Sequence, residues 1–497
     1  MSSPVQVPFL SFIQLDRNSK TPIYLQLAQQ LINAIQRGYL LPGSKIPGSR
    51  ALSELLQLHR KTVIAAYEDL HHQGWIAIKP NKGAYVMDHQ RKTTERPYDA
   101  LVSLSSYPSQ TGYHFKQSNV LDNPFELSSC IYQFNDGSAD IRLTPIKQLS
   151  GLYSATLKRK STLRTLSNPL QASEYVKEQL SNYLNSSRGL HIAKNNLLVT
   201  RSTEMSLYVV AKLIIAPKDV VIVGELSLFT ANMIFHEVGA YVQTLGVDEQ
   251  GIDVDQLAVK LKTTKIRAVY ITPHHHYPTT VSLSAQRRVQ LLQLAQTYGF
   301  IIIEDDYDYD FQYEKSTIMP LASADVNGMV IYVGSFGKSL APSFSSGFVV
   351  APKNFIDEMQ KYLSILDGQG DVVMEQVLAE MIAEGDMHRH LKKSLKVYQE
   401  RRENCCKVIE ALFGNKVSFT PPKGGLALWL RWNIPVSLMQ LSKICKQHQL
   451  FIPKNILYQN KKTTAMRIGF GHLTTEEMEN SLKIMHQALA KIGTTQK

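Results

Sequence analysis

The stretch VGSFGKSLAPSFSSGF, residues 333–348, holds one lysine, Lys338, among small and apolar side chains, directly after the apolar run MVIYV at 329–333. Burial disfavours an ammonium, so an amine in such company is either a solvated loop charge or a group kept for covalent chemistry. The neighbouring runs supply the frame. LLVT (197–200), DVVIV (219–223), RAVYI (267–271), GFIII (299–303) and MVIYV are short and rich in valine and isoleucine. They alternate with helix-length segments such as SAQRRVQLLQLAQTYG at 284–299. That alternation predicts an α/β fold, a buried parallel sheet with helices on both faces. Ligands on such sheets sit at the carboxyl ends of strands, and Lys338 lies five residues past one of them.

The preceding strand ends in GFIIIEDDYDYDF (299–311), a dense run with Glu304, Asp305, Asp306, Tyr307, Asp308 and Asp310. A calcium loop starting at Asp306 needs glycine at its sixth position and glutamate at its twelfth, where Phe311 and Thr317 stand. His274, His275 and His276 of ITPHHHYPTT are adjacent, and adjacent residues of an extended chain point in different directions. Cys130, Cys405, Cys406 and Cys445 form no C-x-x-C pair. No metal site is expected, and the cysteine usage fits a reducing compartment. The start MSSPVQVPFLSF lacks a basic region followed by an apolar one, and no apolar run approaches the ~20 residues of a membrane span. A cytoplasmic protein without membrane contact is expected. At 497 residues and 44% hydrophobic content the chain has room for roughly three domains and ample core.

The formal net charge of +12 points to a polyanion only where the charges gather on a motif, and near the N-terminus they do. PIYLQLAQQLINAIQRGYL (22–40) places Ile23, Leu27, Leu31 and Ile35 at spacing four between Pro22 and Gly38, an amphipathic helix with its start and stop. A Gly/Pro/Ser turn leads to a short helix over about 49–56, a break at 57–59 and a second helix over about 60–72. WIAIKPNKGAYVMD (75–88) then alternates around Asn81-Lys82-Gly83, a hairpin signal of the kind that forms a wing. In a helix-turn-helix the second helix enters the major groove with its N-terminal residues near base edges, here His59, Arg60, Lys61 and Thr62. Arg60 suits a bidentate contact to guanine, Arg50 a backbone contact, and Lys79 and Lys82 put charge on the wing. The partner expected is double-stranded DNA. LPGSKIPGSRAL and RKTVIAAYEDL, within an ungapped match over this whole stretch, resemble the GntR family of winged helix-turn-helix regulators.

An aspartate and a tyrosine at one strand end and a lysine near the next are what pyridoxal phosphate requires. The amine forms a Schiff base, the carboxylate pairs with the protonated pyridine nitrogen, and the phenol bonds the ring oxygen. Asp305, Tyr307 and Lys338 fill those roles. EDDYD followed by GSFGKSL, together with YLNSSRGL, ITPHHHYPTT, KGGLALWL and MRIGFGHL, resembles fold type I, the aspartate aminotransferase superfamily. With the GntR-like head, the chain resembles the MocR regulators. The resemblance implies a winged helix-turn-helix over 1–88, a linker over 89–129 and an aminotransferase-like domain over 130–497. That domain should have a mostly parallel central sheet and a small C-terminal α/β subdomain over about 380–497. A flexible linker of about forty residues would span on the order of 35 Å. The resemblance also implies a homodimer and, through Arg467, a hold on an amino acid's carboxylate; His472 stands where some members have a further arginine.

Several cofactor positions depart from the family. Ser345 replaces the arginine that clamps the phosphate, and Ser343 replaces a glycine. Leu228 stands for a stacking aromatic, although Phe229 is adjacent. Ser167 stands for a tyrosine that reaches a partner's phosphate, and Ala172 for a glycine. A charge-assisted bond is worth ~1.5–3 kcal/mol and a stacking contact ~0.5–1.5 kcal/mol, so losing both weakens the cofactor by roughly two to three powers of ten. Ser335 remains, Ser202 and Thr203 precede a predicted helix whose N-terminus favours an anion, and Arg201 is expected to supply the missing charge. The leading expectation is a regulator that senses pyridoxal phosphate, alone or with a small amine or amino acid. The alternatives are an aminotransferase with an accessory DNA-binding head and a regulator whose large domain no longer binds the cofactor.

Overall fold

The computed structural model describes residues 9–80, 82–87, 110–122, 124–160, 169–314, 318–340, 346–368 and 370–494. The chain divides into two compact units, residues 1–116 and 117–497. Among the described residues no helix is long and apolar enough to cross a membrane.

In the first unit the helix Ile23–Gln36 turns Leu27, Ala28, Leu31 and Ala34 inward. The helices Ser49–Leu55 and Arg60–His72 follow, separated by a turn in which Gln57 takes a positive φ of 51°. Leu52, Val63, Ala66 and Leu70 pack from these two helices onto the first. The strands Ile76–Lys79 and Gly83–Val86 pair antiparallel with Ala77 opposite Tyr85, and the short strand Lys45–Ile46 adds to the other side of Gly83–Val86. Asn81, read as part of the hairpin turn, lies outside the described residues. The unit is a winged helix-turn-helix with an apolar core shared by helices and wing.

The second unit is built on a seven-stranded sheet. Its order is Leu197–Thr200, Gly347–Val350, Val330–Ser335, Ile301–Asp306, Ile266–Ile271, Val220–Gly224, Tyr241–Leu245. Strand pairs are parallel except at Gly347–Val350, which runs antiparallel to both neighbours. Helices cover the sheet; Thr203–Ile214 and Phe229–Glu237 pack with the apolar residues of one face, and Val254–Leu261 and Ala285–Tyr298 with those of the other. The five runs identified from sequence are all strands. Gly347–Val350 and Tyr241–Leu245 are additional: the first has only four residues inside a serine-rich stretch, and the second mixes polar with apolar side chains. Beyond the 28-residue helix Asp386–Phe413 lies a separate four-stranded antiparallel sheet, with Ala427–Trp432 and Thr464–Gly469 at its centre and helices Leu438–Gln447 and Thr475–Thr494 packed on it.

The end of the segment read as a linker is fastened to this unit. Ser118 Oγ donates to Glu237, Phe125 stacks edge-on against Phe229 at 5.4 Å, and Glu126 pairs with Lys454 at 3.0 Å. Gly347 shows why the strand next to the sheet's edge tolerates little change. A Cβ there would stand 2.6 Å from Thr200 Oγ1 and 2.7 Å from the Ser202 carbonyl oxygen, which is backbone and cannot step aside. Gly347→Ala is therefore expected to lower stability by about 1–3 kcal/mol, read as a lower denaturant midpoint; an unchanged midpoint would contradict this packing.

Candidate functional site

Parallel pairing sets Asp305 beside Val333 and Asp306 beside Gly334, so the ends of two neighbouring strands deliver their side chains together. Alternation along the strand then separates the acidic run into two sets. Asp305 and Tyr307 face a cavity of 320 Å³. Asp306 faces away from it: Tyr332 donates to its Oδ2 at 2.6 Å, and its Oδ1 lies 3.3 Å from His274 Nδ1. Burial alone would raise Asp306, yet His274, Arg188 and the Tyr332 hydroxyl hold it down to about 2. Glu304 accepts from the backbone amides of Leu321 and Ala322, and Asp308 meets His275 Nδ1 at 2.8 Å. Each of these carboxylates has its own partner in the fold.

Lys338 lines the same cavity, three residues past the end of the strand Val330–Ser335. Burial pushes its amine below the usual lysine range, with Asp308 and Asp136 opposing, and Nζ sits 4.6 Å from the centre of the Tyr307 ring. Lowering a lysine's pKa enlarges the share of its neutral, nucleophilic form. Tyr307 donates its hydroxyl to the His275 carbonyl at 2.9 Å and accepts from Arg467 Nη2 at 3.2 Å. Asp305 accepts from the Tyr270 hydroxyl at 2.7 Å through Oδ2, while its buried Oδ1 has no hydrogen-bond partner among the described residues. Burial pushes Asp305 up to about 7. A buried acceptor without a donor is costly, and a protonated ring nitrogen would satisfy it.

The remaining expected residues divide. Ser335, Ser202, Thr203 and Arg201 line the cavity. Ser202 caps the 12-residue helix Thr203–Ile214, accepting from Met205 N, so that helix opens with its N-terminus toward the cavity. Arg201, expected to supply the missing charge, lines the cavity with its guanidinium bound twice by Asp367, at 2.7 and 3.2 Å, and 3.5 Å from Asp371. Arg467 is 1% exposed and outside the lining; it meets the cavity wall through the Tyr307 hydroxyl and gives Nε to the Asp136 carbonyl and Nη1 to the Pro278 carbonyl. His472 is held by the Gln133 carbonyl at 2.7 Å and is also absent from the lining, because its loop turns toward the segment 132–142. Leu228 and Phe229 both line the cavity. Ser343, Ser345 and Ser167 lie outside the described residues, as does the side chain of Ala172.

Sequence reading missed Asp136, Glu204, Tyr277, Phe125 and Ser346, all of which line the cavity. Glu204 follows Thr203 directly and was visible there; Asp136 comes from a loop more than 160 residues upstream of Asp305 and Tyr307, and no local pattern marks it. On the first unit Arg50, His59, Arg60, Lys61, Lys79 and Lys82 are exposed and Thr62 is half-buried. His59 caps the helix Arg60–His72, its ring nitrogen accepting from Lys61 N at 3.2 Å, and Arg60 Nε reaches Ser49 Oγ at 3.4 Å. Lys79 stands over the Tyr85 ring of the wing at 5.1 Å.

The raised Asp305 has a consequence for stability. Its proton is held more tightly in the folded than in the unfolded chain, so its contribution to stability is greatest below about pH 4 and falls as pH rises to about 7. Asp305→Asn removes that contribution and keeps an acceptor for Tyr270. Without ligand it is expected to melt several degrees higher than the wild type above pH 7 and no higher below pH 4. Glu304, also pushed up to about 7, acts equally in both proteins. Melting curves that differ by the same amount at both pH values would contradict this.

Residues 23–86 match the family described as bacterial regulatory proteins, gntR family. The chain is 25% identical over 480 residues to an uncharacterised HTH-type transcriptional regulator, YhdI of Bacillus subtilis, covering 96% of this chain and 98% of that one. It is also 25% identical to the probable rhizopine catabolism regulatory protein MocR of Rhizobium meliloti, over 78% of this chain and 77% of the relative. Among solved structures it is similar to LysN, the alpha-aminoadipate aminotransferase of Thermus thermophilus, complexed with N-(5'-phosphopyridoxyl)-L-leucine. That likeness has a TM-score of 0.66 and 20% identity, covering 73% of this chain and 93% of that one, and it establishes the aminotransferase fold. A gntR-type helix-turn-helix joined to an aminotransferase-like fold, matched along its length by helix-turn-helix regulators, makes this chain a DNA-binding regulator of the MocR type.

Proposed function

We propose that the large unit binds pyridoxal phosphate through Lys338, and that the cofactor, alone or with a small amine-bearing effector, sets the DNA affinity of the helix-turn-helix head. The observation that carries this reading is Asp305, buried with one carboxylate oxygen unpartnered, in a cavity that also holds a lysine of depressed pKa. When bound, the cofactor supplies an electrophilic carbon for an amine. Lys338 would hold it, Asp305 would accept a hydrogen bond from the protonated ring nitrogen, and the Tyr307 hydroxyl, which now donates to the His275 carbonyl, would turn to the ring oxygen. Ser335, Ser202, Thr203 and the amides that open the helix Thr203–Ile214 cradle the phosphate. Arg201 contributes at longer range, since Asp367 and Asp371 already balance its charge.

The site is built from a central sheet whose strand ends are fixed by backbone pairing, so an effector acts by binding two arrangements of the protein unequally rather than by bending it. The working form proposed is a cytoplasmic homodimer. Its paired heads would read half-sites separated by a helical turn or a multiple of one. Arg60 and Lys61, at the start of an exposed helix, are assigned to the major groove, with His59 shaping that start as its cap.

Purified protein mixed with pyridoxal phosphate is expected to show the visible absorption of a lysine-bound cofactor, and Lys338→Ala is expected to abolish it while remaining folded. A wild type without that absorption would remove the cofactor from this reading. On DNA selected from random sequence, Arg60→Ala is expected to weaken binding by about 1–3 kcal/mol and relax base preference. Lys82→Ala should lower the salt dependence by about one contact without changing sequence preference. Unchanged binding in both variants would contradict the docking.

A further inference from the structure

The cavity has two sides. On one, Lys338 lies against the Tyr307 ring, and Arg467 bonds the Tyr307 hydroxyl. On the other, hydroxyls converge. Ser335 pairs with Gly347 and Gly347 with Thr200, Phe336 N donates to the Ser346 carbonyl at 2.9 Å, and a Cβ on Gly347 would stand 2.7 Å from the Ser202 carbonyl oxygen. Ser335, Ser346 and Ser202 therefore come together where the helix Thr203–Ile214 opens, and all three line the cavity. Ser346 is 5% exposed, and its Oγ has no hydrogen-bond partner among the described residues. Hydroxyls beside the first amides of a helix form a place for an anion.

That place already has a carboxylate beside it. Glu204 is the second residue of the helix, lines the cavity, is exposed to solvent and has no hydrogen-bond or ion-pair partner among the described residues. An acid in the first turn is favourable to the helix itself, but a phosphate brought to the same turn meets like charge. Arg201, the cation that precedes this helix, is shared with Asp367 and Asp371. Lys338 and Arg467 add positive charge to the cavity as a whole, but from the Tyr307 side. Because Glu204 is exposed, water and salt weaken its repulsion without removing it.

We infer that Glu204 determines how far the phosphate contributes to cofactor binding: its carboxylate opposes the phosphate at the opening of the helix Thr203–Ile214, so the phosphate adds less than its hydroxyl and amide partners would give. The inference rests on the cofactor reading above and deepens it, by naming the residue that limits the affinity. A weakened phosphate contact keeps occupancy responsive to cofactor concentration, as a sensor requires.

The probes are pyridoxal phosphate and pyridoxal, which share the ring and the aldehyde and differ in the phosphate, and inorganic phosphate alone. Dissociation constants of the two aldehydes are measured by absorption on the full-length wild type, Glu204→Gln and Glu204→Asp. Glu204→Gln is expected to raise the preference for pyridoxal phosphate over pyridoxal by about tenfold at about 10 mM salt, and by only about two- to threefold at about 0.5 M salt. Glu204→Asp, which keeps the charge, should stay within about threefold of the wild type. The field of Glu204 on Asp305 acts on both aldehydes and cancels in this ratio. In the cofactor-free proteins, inorganic phosphate should raise the unfolding midpoint of Glu204→Gln more than that of the wild type. A preference unchanged in Glu204→Gln, one that changes equally at both salt concentrations, or equal responses to inorganic phosphate would overturn the inference. Absorption with neither aldehyde in all three proteins would count against the cofactor reading instead, because the response to inorganic phosphate still decides the role of Glu204.

Discussion

Everything at the site depends on one pairing, the parallel contact between the strands Ile301–Asp306 and Val330–Ser335. Its register, with Asp305 opposite Val333, brings Asp305, Tyr307 and Lys338 to one cavity although they come from two chain segments. A slip of one residue would send Asp305 and Tyr307 to the other face and Asp306 into the cavity, since side chains alternate along a strand. The register is held from the far side by the antiparallel strand Gly347–Val350, where glycine is needed beside Thr200 and Ser202, and by Phe348, whose ring fills the space above Gly334. Burial of the Lys338 amine against the Tyr307 ring is the chemical product of that arrangement.

The same strand end is joined to the C-terminal part of the unit. Gly425 N donates to the Phe311 carbonyl at 2.7 Å, Tyr313 N to the Lys423 carbonyl at 3.0 Å, and the Tyr313 hydroxyl to the Gly425 carbonyl at 2.7 Å. A Cβ on Gly425 would stand 2.5 Å from Asp308 Oδ2, so this loop lies directly on the Asp308 and His275 pair beneath the cavity. Arg467, from the central strand of the C-terminal sheet, reaches the Tyr307 hydroxyl. A ligand that moves Tyr307 therefore pulls on both sheets of the unit. That is the kind of two-sided contact through which a binding event becomes a change in packing.

Much of this was legible in the sequence where a local rule governs. The helix Arg60–His72 begins and ends at the residues its pattern indicates, because caps and apolar spacing are local signals. Asp305, Tyr307 and Lys338 were legible because strand ends are, and a strand end is where such a sheet binds its ligand. What escaped was set by long-range contacts. Arg467 carries the expected motif but turns to backbone carbonyls from the loops 135–137 and 277–279, and no reading of MRIGFGHL alone reveals those acceptors. The ion pairs of Arg201 were equally hidden, since Asp367 and Asp371 lie more than 160 residues away in sequence. Asp136 entered the cavity from a loop with no chemistry of its own.

The central claim is that the ligand held by Lys338 changes how the head binds DNA. The most direct measurement is the affinity of the full-length protein for its selected DNA, at fixed salt, with and without pyridoxal phosphate, in the wild type and in Lys338→Ala. The account predicts that the cofactor shifts the wild-type dissociation constant by about fivefold or more and leaves Lys338→Ala unmoved. A wild-type affinity that is the same in both conditions, with the cofactor demonstrably bound, would contradict it.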